Sequence, residues 1–579
     1  MKYLLAVSEE ATCPWLRFKD YLSYLGVYTM FLFKNLLFII LWSVTVISAK
    51  RFRFAWRWAI PIACLITLSI TFSFYRLSVL PNIFLDEANG AYDSWSLALY
   101  HVDSNLNTNP IYLQSFAGQG QSILYTWLAI PFMKIFGLQI VAFRLPMVLA
   151  SALTLILFFF TLMYIRLKPQ LLFGIMIAAS TSPWLLMMNR WGLDCNITAF
   201  TSLSALCFIL LAIHHPSHKT TNLFYLLGFF FISLTAYGYN AAWVFLPLFV
   251  IGLLAYLYKQ KQINLQKLFV LLAFILILTI PIVNFAISSN INSLNHTHKF
   301  LWWTIPELIK SRATVSIIDL NLHRLLPNIL KNLAQGSKMF YQNSDGLPWN
   351  SRPNFGAYYV FALPLFLIGL GTIRKSHQPL ARITIIWFLA MIPSLLIITP
   401  NYNHWILLHF PVLITIGFGI NTILQSVNRK TVLTAITFTY LINLGLFARE
   451  YFVVSQRTPF PTSQDIPNSQ VAIDKIKQKK AQRIYFDGLD HYYTTIRFFA
   501  PLSPYEWQKQ KDHPFSKRIL TTTNRYGQFY AIPTKVDAKK SILVVRDDHQ
   551  AMYKTLSGSY AHAEPIIFAG ADFTVYYNK

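Results

Sequence analysis

The sequence predicts a polytopic α-helical membrane protein with about 11–13 transmembrane helices and a C-terminal extracytoplasmic α/β domain. Of its 579 residues, 55% are hydrophobic and only 12% are charged, whereas soluble domains carry roughly 25% charged residues. Apolar runs of about 20 residues, the length that spans a bilayer, recur over the first 450 positions. Most of the chain is therefore expected to lie in a lipid bilayer.

The formal net charge of +26 raises the alternative of a nucleic-acid-binding protein. Over residues 58–450, however, the basic residues cluster in short turns between apolar runs, which is the pattern of cytoplasmic loops under the positive-inside rule. The bilayer is therefore the expected partner, and no nucleic acid is expected. The four cysteines are scattered and lack the spacing of a structural zinc site or a disulfide framework.

The spans follow from the apolar runs, with the basic turns assigned to the cytoplasmic side. Residues 21–49 are expected to add a helix before residue 57, and residues 123–137, interrupted by Pro131 and Lys134, are expected to lie along the outer surface. Eleven spans are predicted after residue 57: 58–80, 146–165, 171–188, 197–213, 222–236, 241–258, 268–286, 355–373, 383–399, 405–425 and 431–448.

These spans divide the chain into three parts. Residues 1–57 form an N-terminal extension, and residues 58–450 form the transmembrane domain, with outer loops at about 81–122 and about 288–354. Residues 455–579 contain no spanning run and several short β-rich stretches, which predict a soluble α/β domain. Because the last span ends outside, this domain is expected to be extracytoplasmic.

The first outer loop is an acidic region in a basic chain. Residues 77–133 contain no Lys or Arg but include Asp86, Glu87, Asp93 and Asp103. Adjacent carboxylates raise the pKa of each other. The Asp86–Glu87 pair is therefore suited to holding a cation or to keeping one carboxylate ready to accept a proton.

Further polar residues lie at the outer ends of the predicted spans, where ionisable groups usually face a cavity. They are Arg144, Arg190, Asp194, Asn403 and His404. A carboxylate can deprotonate a hydroxyl nucleophile, and arginines can hold a phosphate leaving group through paired hydrogen bonds. Together these groups would suit transfer from a lipid phosphate to an acceptor that arrives from outside.

Each of these residues also has a structural explanation. Arg144 and Arg190 can extend to outer headgroups. Asp194 and Asp86 can cap the helices that follow them. His404 can be a packed histidine.

Five short motifs in this order resemble the GT-C membrane glycosyltransferases, and within them the glycosyltransferase family 39-like branch. This branch includes protein O-mannosyltransferases and the bacterial lipid A aminoarabinose transferase. The motifs are Asp86-Glu87-Ala88 after the first span, Leu124-Tyr125-Thr126-Trp127-Leu128, Phe136-Gly137, Phe143-Arg144-Leu145-Pro146, and Thr181-Ser182-Pro183 followed by Arg190 and Asp194.

The resemblance implies a GT-C fold, a sugar donor linked to polyprenyl phosphate, and inversion at the anomeric carbon. It implies that Asp86 is the catalytic base and Glu87 its acidic companion. Arg144 would lie near the donor phosphate, and Asp194 would be the acid of the next outer turn. Apart from the resemblance, two adjacent carboxylates can bind Mg²⁺ or Mn²⁺, so Asp86 and Glu87 would be the ligands if a divalent metal binds; a base requires none, and the cofactor is left open.

One departure from the family concerns the donor phosphate. A bacterial branch has Lys-Pro-Pro before the Tyr-Trp segment, and its lysine helps to hold the phosphate. Here that region contains Gln121. The glutamine side chain can donate hydrogen bonds but carries no charge. Binding of the phosphate would then fall to Arg144, Arg190 or another basic residue such as Lys338 or Arg352.

The prediction is thus a transferase in the cytoplasmic membrane of a bacterium, with its active site on the outer face and an unspecified acceptor. The alternative is a transporter or flippase of a lipid-linked or anionic substrate, which would use the same cavity without breaking a bond. Transporters often show two similar halves, and no such symmetry is visible. A third alternative is a non-catalytic scaffold, against which the acidic loop argues.

Overall fold

A computed structural model describes residues 14–52, 54–115, 120–291, 296–308, 325–347, 349–426, 428–454, 466–510 and 525–578. Up to residue 454 the described chain is almost entirely helical. Its helices are α1 Pro14–Arg51, α2 Trp56–Phe74, α3 Leu85–Tyr100, α4 Leu124–Phe136, α5 Ile140–Tyr164, α6 Pro169–Ser180, α7 Pro183–Met188, α8 Asp194–His214, α9 His218–Gly238, α10 Ala242–Lys259, α11 Leu265–Ile291, α12 Leu325–Tyr341, α13 Ala362–Lys375, α14 Pro379–Ile397, α15 His409–Ser426 and α16 Arg429–Arg449. Two short hairpins interrupt them, β1 Tyr112–Gln114 with β2 Gly120–Ser122, and β3 His298–Phe300 with β4 Trp303–Ile305.

Within the described ranges, ten helices are long and apolar enough to cross a membrane. They are Tyr28–Arg51, Trp56–Phe74, Ile140–Tyr164, Asp194–His214, His218–Gly238, Ala242–Lys259, Leu265–Ser289, Pro379–Ile397, Ile406–Gln425 and Arg429–Val454. Several expose large apolar side chains, for example Phe269 and Ile277 on α11, as lipid-facing surfaces do. The chain is therefore a multi-pass membrane protein.

Two predicted spans differ in detail from the structure. The span 171–188 is broken into α6 and α7, because Pro183 has no N–H to continue the helix and instead begins a new one. The span 355–373 becomes helical only at Ala362, so α13 has 14 residues. The segment 123–137 forms α4, whose 13 residues are too few to cross a bilayer.

The C-terminal part is an α/β domain, as predicted. Its helices are α17 Ile466–Gln478, α18 Leu489–Phe499, α19 Pro504–Gln510 and α20 Lys554–Ser557, and its strands are β5 Arg483–Phe486, β6 Arg525–Tyr526, β7 Phe529–Tyr530, β8 Ser541–Arg546, β9 His562–Phe568 and β10 Ala571–Tyr577. The six strands form one sheet in the order β6-β7-β5-β8-β10-β9, in which β5 is parallel to β7 and to β8. Helix α18 packs against α3, so this domain lies at the end of the helical bundle that carries the acidic residues.

The acidic loop is not an extended loop. Residues 85–100 form α3, which packs against α4 and α5, and the β1–β2 hairpin follows. The hairpin requires Gly120, because a Cβ atom there would lie 2.1 Å from the Tyr112 ring. The predicted fold class, a polytopic helical membrane protein with a C-terminal α/β domain, is confirmed.

Candidate active site

Asp86 lies in the first turn of α3, where the positive end of the helix dipole favours a carboxylate. Its side chain is half-buried, and its Oδ1 accepts a hydrogen bond from the Ser115 hydroxyl at 3.5 Å. Burial raises the pKa of Asp86 to about 6, and the Ser115 hydrogen bond opposes part of that rise. Asp86 is thus a carboxylate whose pKa approaches neutrality and which still has accessible surface.

Asp194 begins α8 and lies close enough to Asp86 for the two carboxylates to interact. Its Oδ2 accepts the backbone N–H of Ser122 at 2.7 Å, and its Oδ1 accepts that of Cys195 at 2.8 Å. The second bond joins adjacent residues, whereas a capping side chain accepts the second or third helical N–H, so it is not a capping bond. The first bond ties α8 to the end of the β1–β2 hairpin, beside Asp86.

Glu87 faces Arg144 rather than the surface that Asp86 occupies. Its Oε1 accepts from Arg144 Nε and its Oε2 from Arg144 Nη2, both at 2.7 Å, and both side chains are 0% exposed. Glu87 Oε1 also accepts the N–H of Gly192 at 3.0 Å. A Cβ atom at Gly192 would lie 2.7 Å from the Phe143 ring, so only glycine allows this approach.

Arg190 is also fully buried and binds backbone oxygens. Its guanidinium donates to four carbonyls at the end of α2 and just beyond it, those of Phe72, Ser73 (2.9 Å), Tyr75 (2.7 Å) and Leu80 (3.0 Å). Arg144 binds the same connection through the carbonyls of residues 77 (3.0 Å) and 82 (3.5 Å). Arginines from two separate parts of the chain therefore hold the segment that leads into α3.

These contacts change how the two arginines act. We predicted that Arg144 and Arg190 would bind a donor phosphate, and that role stays a prediction. In the structure the guanidinium of Arg144 binds Glu87, and both guanidinium groups bind carbonyls at the end of α2 and in the connection between α2 and α3. The geometry thus favours a positioning role, in which both residues fix the place of Asp86.

Gln121 links Asp86 to the C-terminal domain. Its Nε2 donates to the Asp86 carbonyl at 3.3 Å, and its Oε1 accepts from Asn89 Nδ2 at 3.3 Å. Asn89 Oδ1 in turn accepts from Arg497 Nη2 at 2.6 Å. The guanidinium of Arg497 also lies 4.2 Å from the centroid of the Tyr92 ring, and Tyr92 donates from its hydroxyl to a carbonyl of the C-terminal domain at 2.7 Å.

Replacement of Arg497 by Gln should loosen the docking of this domain onto α3. The side chain is 2% exposed, and a hydrogen bond from a charged group contributes about 1.5–3 kcal/mol. We expect faster proteolysis of the C-terminal domain in the native protein, together with reduced activity. The matched control is Arg483→Gln, an exposed arginine of the same domain, which should change neither. Equal proteolysis rates in the two variants would contradict the docking role.

The remaining acids of the first loop have structural partners. Asp93 accepts the N–H of Ser104 at 2.8 Å and the Asn89 amide at 3.2 Å. Asp103 accepts the N–H groups of residues 105 and 107, both at 2.8 Å. Burial, followed by the charge of Asp93, raises the pKa of Asp103 to about 7. Both residues brace the turn after α3.

His404 and Asn403 lie on different sides of their turn. The His404 ring stacks on the Tyr239 ring at a centroid distance of 6.4 Å, and Tyr239 interacts electrostatically with Asp194 and Asp86. Asn403 donates to Asn350 Oδ1 at 3.1 Å. His404 therefore contacts Tyr239, a neighbour of the carboxylate pair, whereas Asn403 secures the second outer loop.

Sequence reasoning missed Tyr239, Ser115 and Arg497. Tyr239 lies in a turn that was correctly placed between two helices, but a tyrosine there is typical of membrane interfaces and carries no separate signal. Ser115 is a single hydroxyl in a polar loop. Arg497 lies 408 positions from Asn89, in a domain whose topology the sequence does not reveal.

Asp86 and Glu87, the ligands of a divalent metal if one binds, have different partners in the structure. Both Glu87 oxygens accept hydrogen bonds from Arg144, so Glu87 does not share a face with Asp86. Among the described residues no group of three or more His, Cys, Asp or Glu side chains is arranged to hold a metal ion. Asp86 has Asp194 as its acidic neighbour, and a metal requirement stays untested.

The structure is a many-helix bundle with a carboxylate pair at one end and an α/β domain docked at that same end. Its likeness to solved structures shows a polytopic membrane protein of the GT-C fold. It is similar to ArnT from Cupriavidus metallidurans bound to undecaprenyl phosphate, with a TM-score of 0.52 and 12% identity over 90% of this chain and 98% of that one. The apo state of that ArnT gives a TM-score of 0.51 and 12% identity over 90% and 97%.

A third solved structure aligns less closely. It is the Archaeoglobus fulgidus oligosaccharyltransferase in complex with zinc and sulfate, with a TM-score of 0.45 and 12% identity over 75% of this chain and 61% of that one. No protein-family model and no curated protein sequence matches this chain. The ArnT likeness therefore defines the fold.

Proposed function

We propose that this protein is a membrane glycosyltransferase that moves a sugar from a polyprenyl-phosphate donor to an acceptor on the outer side of the cytoplasmic membrane of a bacterium. The single observation that carries the proposal is the half-buried Asp86 carboxylate, whose pKa is raised to about 6 at the end of a GT-C bundle. The similar ArnT binds undecaprenyl phosphate, which supports a donor of the same chemical class.

In the proposed reaction Asp86 accepts the proton of an acceptor hydroxyl. The oxygen attacks the anomeric carbon from the face opposite the phosphate, the bond between that carbon and the phosphate oxygen breaks, and polyprenyl phosphate leaves with the bonding electrons. Attack from the opposite face inverts the anomeric centre. Burial of Asp86 raises its pKa and thereby helps it to take up this proton, and Asp194 lies beside it as a second carboxylate.

The remaining polar groups have supporting roles in this proposal. Glu87, Arg144 and Arg190 hold the connection before α3, and Gln121 fixes the backbone of Asp86. Burial raises the pKa of the Tyr239 phenol, so its hydroxyl stays protonated and is available as a hydrogen-bond donor near the two carboxylates. A donor of this kind would help to orient a sugar or a phosphate oxygen.

The distribution of charge supports the proposed orientation. Basic turns follow α5, α8, α10 and α13, at the ends of the bundle away from Asp86, and such turns are typical of the cytoplasmic side. The C-terminal domain contacts α3, so on this orientation it is extracytoplasmic. It would then lie where an acceptor arrives.

The pH dependence of transfer tests the role of Asp86. A base must be deprotonated to act, so a pKa of about 6 means that kcat/KM falls as the pH drops below about 6, whereas an ordinary aspartate would act down to roughly pH 4. We expect a limb of unit slope with an apparent pKa near 6, measured for turnover of a polyprenyl-phosphate sugar. A limb near pH 4, or none, would contradict the assignment.

A further inference from the structure

A cavity of about 760 Å³ opens between the turn that joins α8 to α9 and the turn that joins α10 to α11. Asp194 and His214 are the two ends of α8, whose 21 residues rise roughly 30 Å. The cavity therefore lies about one bilayer thickness away from Asp86, at the basic end of the bundle. Its volume is in the range of about 300–1,000 Å³ that small-molecule sites occupy.

The lining of this cavity is cationic. Lys259, Lys261 and Lys267 line it together with His215 and His218, and none of its lining residues is acidic. The sequence has no Asp or Glu at all between Asp194 and Glu307. Among the described residues, no carboxylate lies within ion-pair distance of these three lysines.

Hydrogen-bond donors accompany the charge. The N–H of Ser217 donates to Nδ1 of His215 at 3.1 Å, so the proton of the neutral His215 ring lies on Nε2, which is a donor. The Tyr258 hydroxyl also lines the cavity. A set of ammonium groups with additional N–H and O–H donors is the chemistry that binds phosphate oxygens.

We propose that this cavity binds a phosphate group at the cytoplasmic face of the membrane. Lys259 ends α10, Lys261 lies in the turn that follows, and Lys267 lies in the first turn of α11. All three border one open cavity that two separate turns create. A flat basic loop would orient the protein in the membrane without such a volume. Basic pockets between transmembrane helices on this side are suited to anionic lipid headgroups, and a free phosphate ion offers the same chemistry.

The test measures binding to the full-length protein in nanodiscs of zwitterionic lipid. One arm uses short-chain phosphatidylglycerol and the other uses inorganic phosphate. The cavity variant is Lys259→Gln/Lys261→Gln/Lys267→Gln. The matched control is Arg374→Gln/Lys375→Gln/Lys430→Gln, which removes the same charge from exposed positions outside the cavity.

Each lysine near an anionic headgroup contributes roughly fivefold to binding, so we expect the cavity variant to bind about a hundredfold more weakly than the wild type. The control should bind as the wild type does. If phosphatidylglycerol binds more tightly than inorganic phosphate, the site is assigned to a lipid headgroup. If the two bind equally well, the site is assigned to free phosphate.

Two results would overturn the site: no binding in either arm, or equal weakening by the cavity and control variants. Should the triple variant fail to fold, the single variant Lys261→Gln applies, since this residue lies in the exposed turn after α10. It should weaken binding about fivefold, and unchanged binding would count against the site. Turnover at Asp86 is measured in parallel, and it should persist because the cavity lies at the opposite end of the bundle.

Discussion

The Asp86→Asn protein is expected to fold and to bind donor but to transfer sugar at least about a hundredfold more slowly than the wild type, because a positioned general base contributes roughly 10²–10⁴-fold. Asparagine keeps the size of the side chain, and its oxygen can still accept from Ser115, whose hydroxyl contacts Asp86 Oδ1. The measurement is single-turnover transfer at pH 8, where the carboxylate of the wild type is ionised.

The matched control for this variant is Asp490→Asn, an exposed carboxylate on α18, which should keep full activity. Thermal melting curves that coincide for the two variants would show that any loss is chemical. Transfer at the wild-type rate by folded Asp86→Asn protein would remove Asp86 from the role of base.

Removing one partner of the buried Glu87–Arg144 pair should produce the largest loss of stability in the molecule. Both side chains are 0% exposed and are joined by two hydrogen bonds of 2.7 Å, so Arg144→Met leaves an uncompensated carboxylate in the bundle. Such a change costs about 3–5 kcal/mol. The free energy of unfolding in detergent, measured by denaturant titration, should fall by that amount.

A surface ion pair provides the control. Lys475 and Glu564 are 3.0 Å apart and partly exposed, so Lys475→Gln should cost no more than about 1 kcal/mol. The double variant Glu87→Leu/Arg144→Met removes both charges together and should recover part of the loss. A loss below about 1 kcal/mol for Arg144→Met alone would show that the pair does not support the bundle.

The fold could be predicted because its signals are local. A run of apolar residues and the basic residues that flank it are read within one segment, and this is how α5 and the helices from α8 to α11 were placed. The break between α6 and α7 was also visible, since Pro183 lies inside the predicted span. Hydropathy alone does not predict this break, because the apolar segments on the two sides of Pro183 together have the length of one span.

The site could be predicted only in part, because its contacts join distant segments. The acidic composition identified Asp86, but Glu87 and Arg144 are 57 positions apart, and each could equally have faced a ligand. Arg190 binds backbone carbonyls, which every residue possesses and which no sequence pattern marks. The function of both arginines therefore depends on packing that the sequence does not display.

The most direct test of the proposed function is turnover of a donor. Purified full-length protein would be incubated with a panel of polyprenyl-phosphate sugars and a candidate acceptor, and mass spectrometry would follow the polyprenyl chain. We expect wild-type protein to release polyprenyl phosphate as the sugar joins the acceptor, and the Asp86→Asn protein to leave the donor intact. A different result would contradict the proposal: the wild-type protein binds a donor of this panel and moves it across a vesicle membrane with its sugar still attached. That result would indicate a flippase.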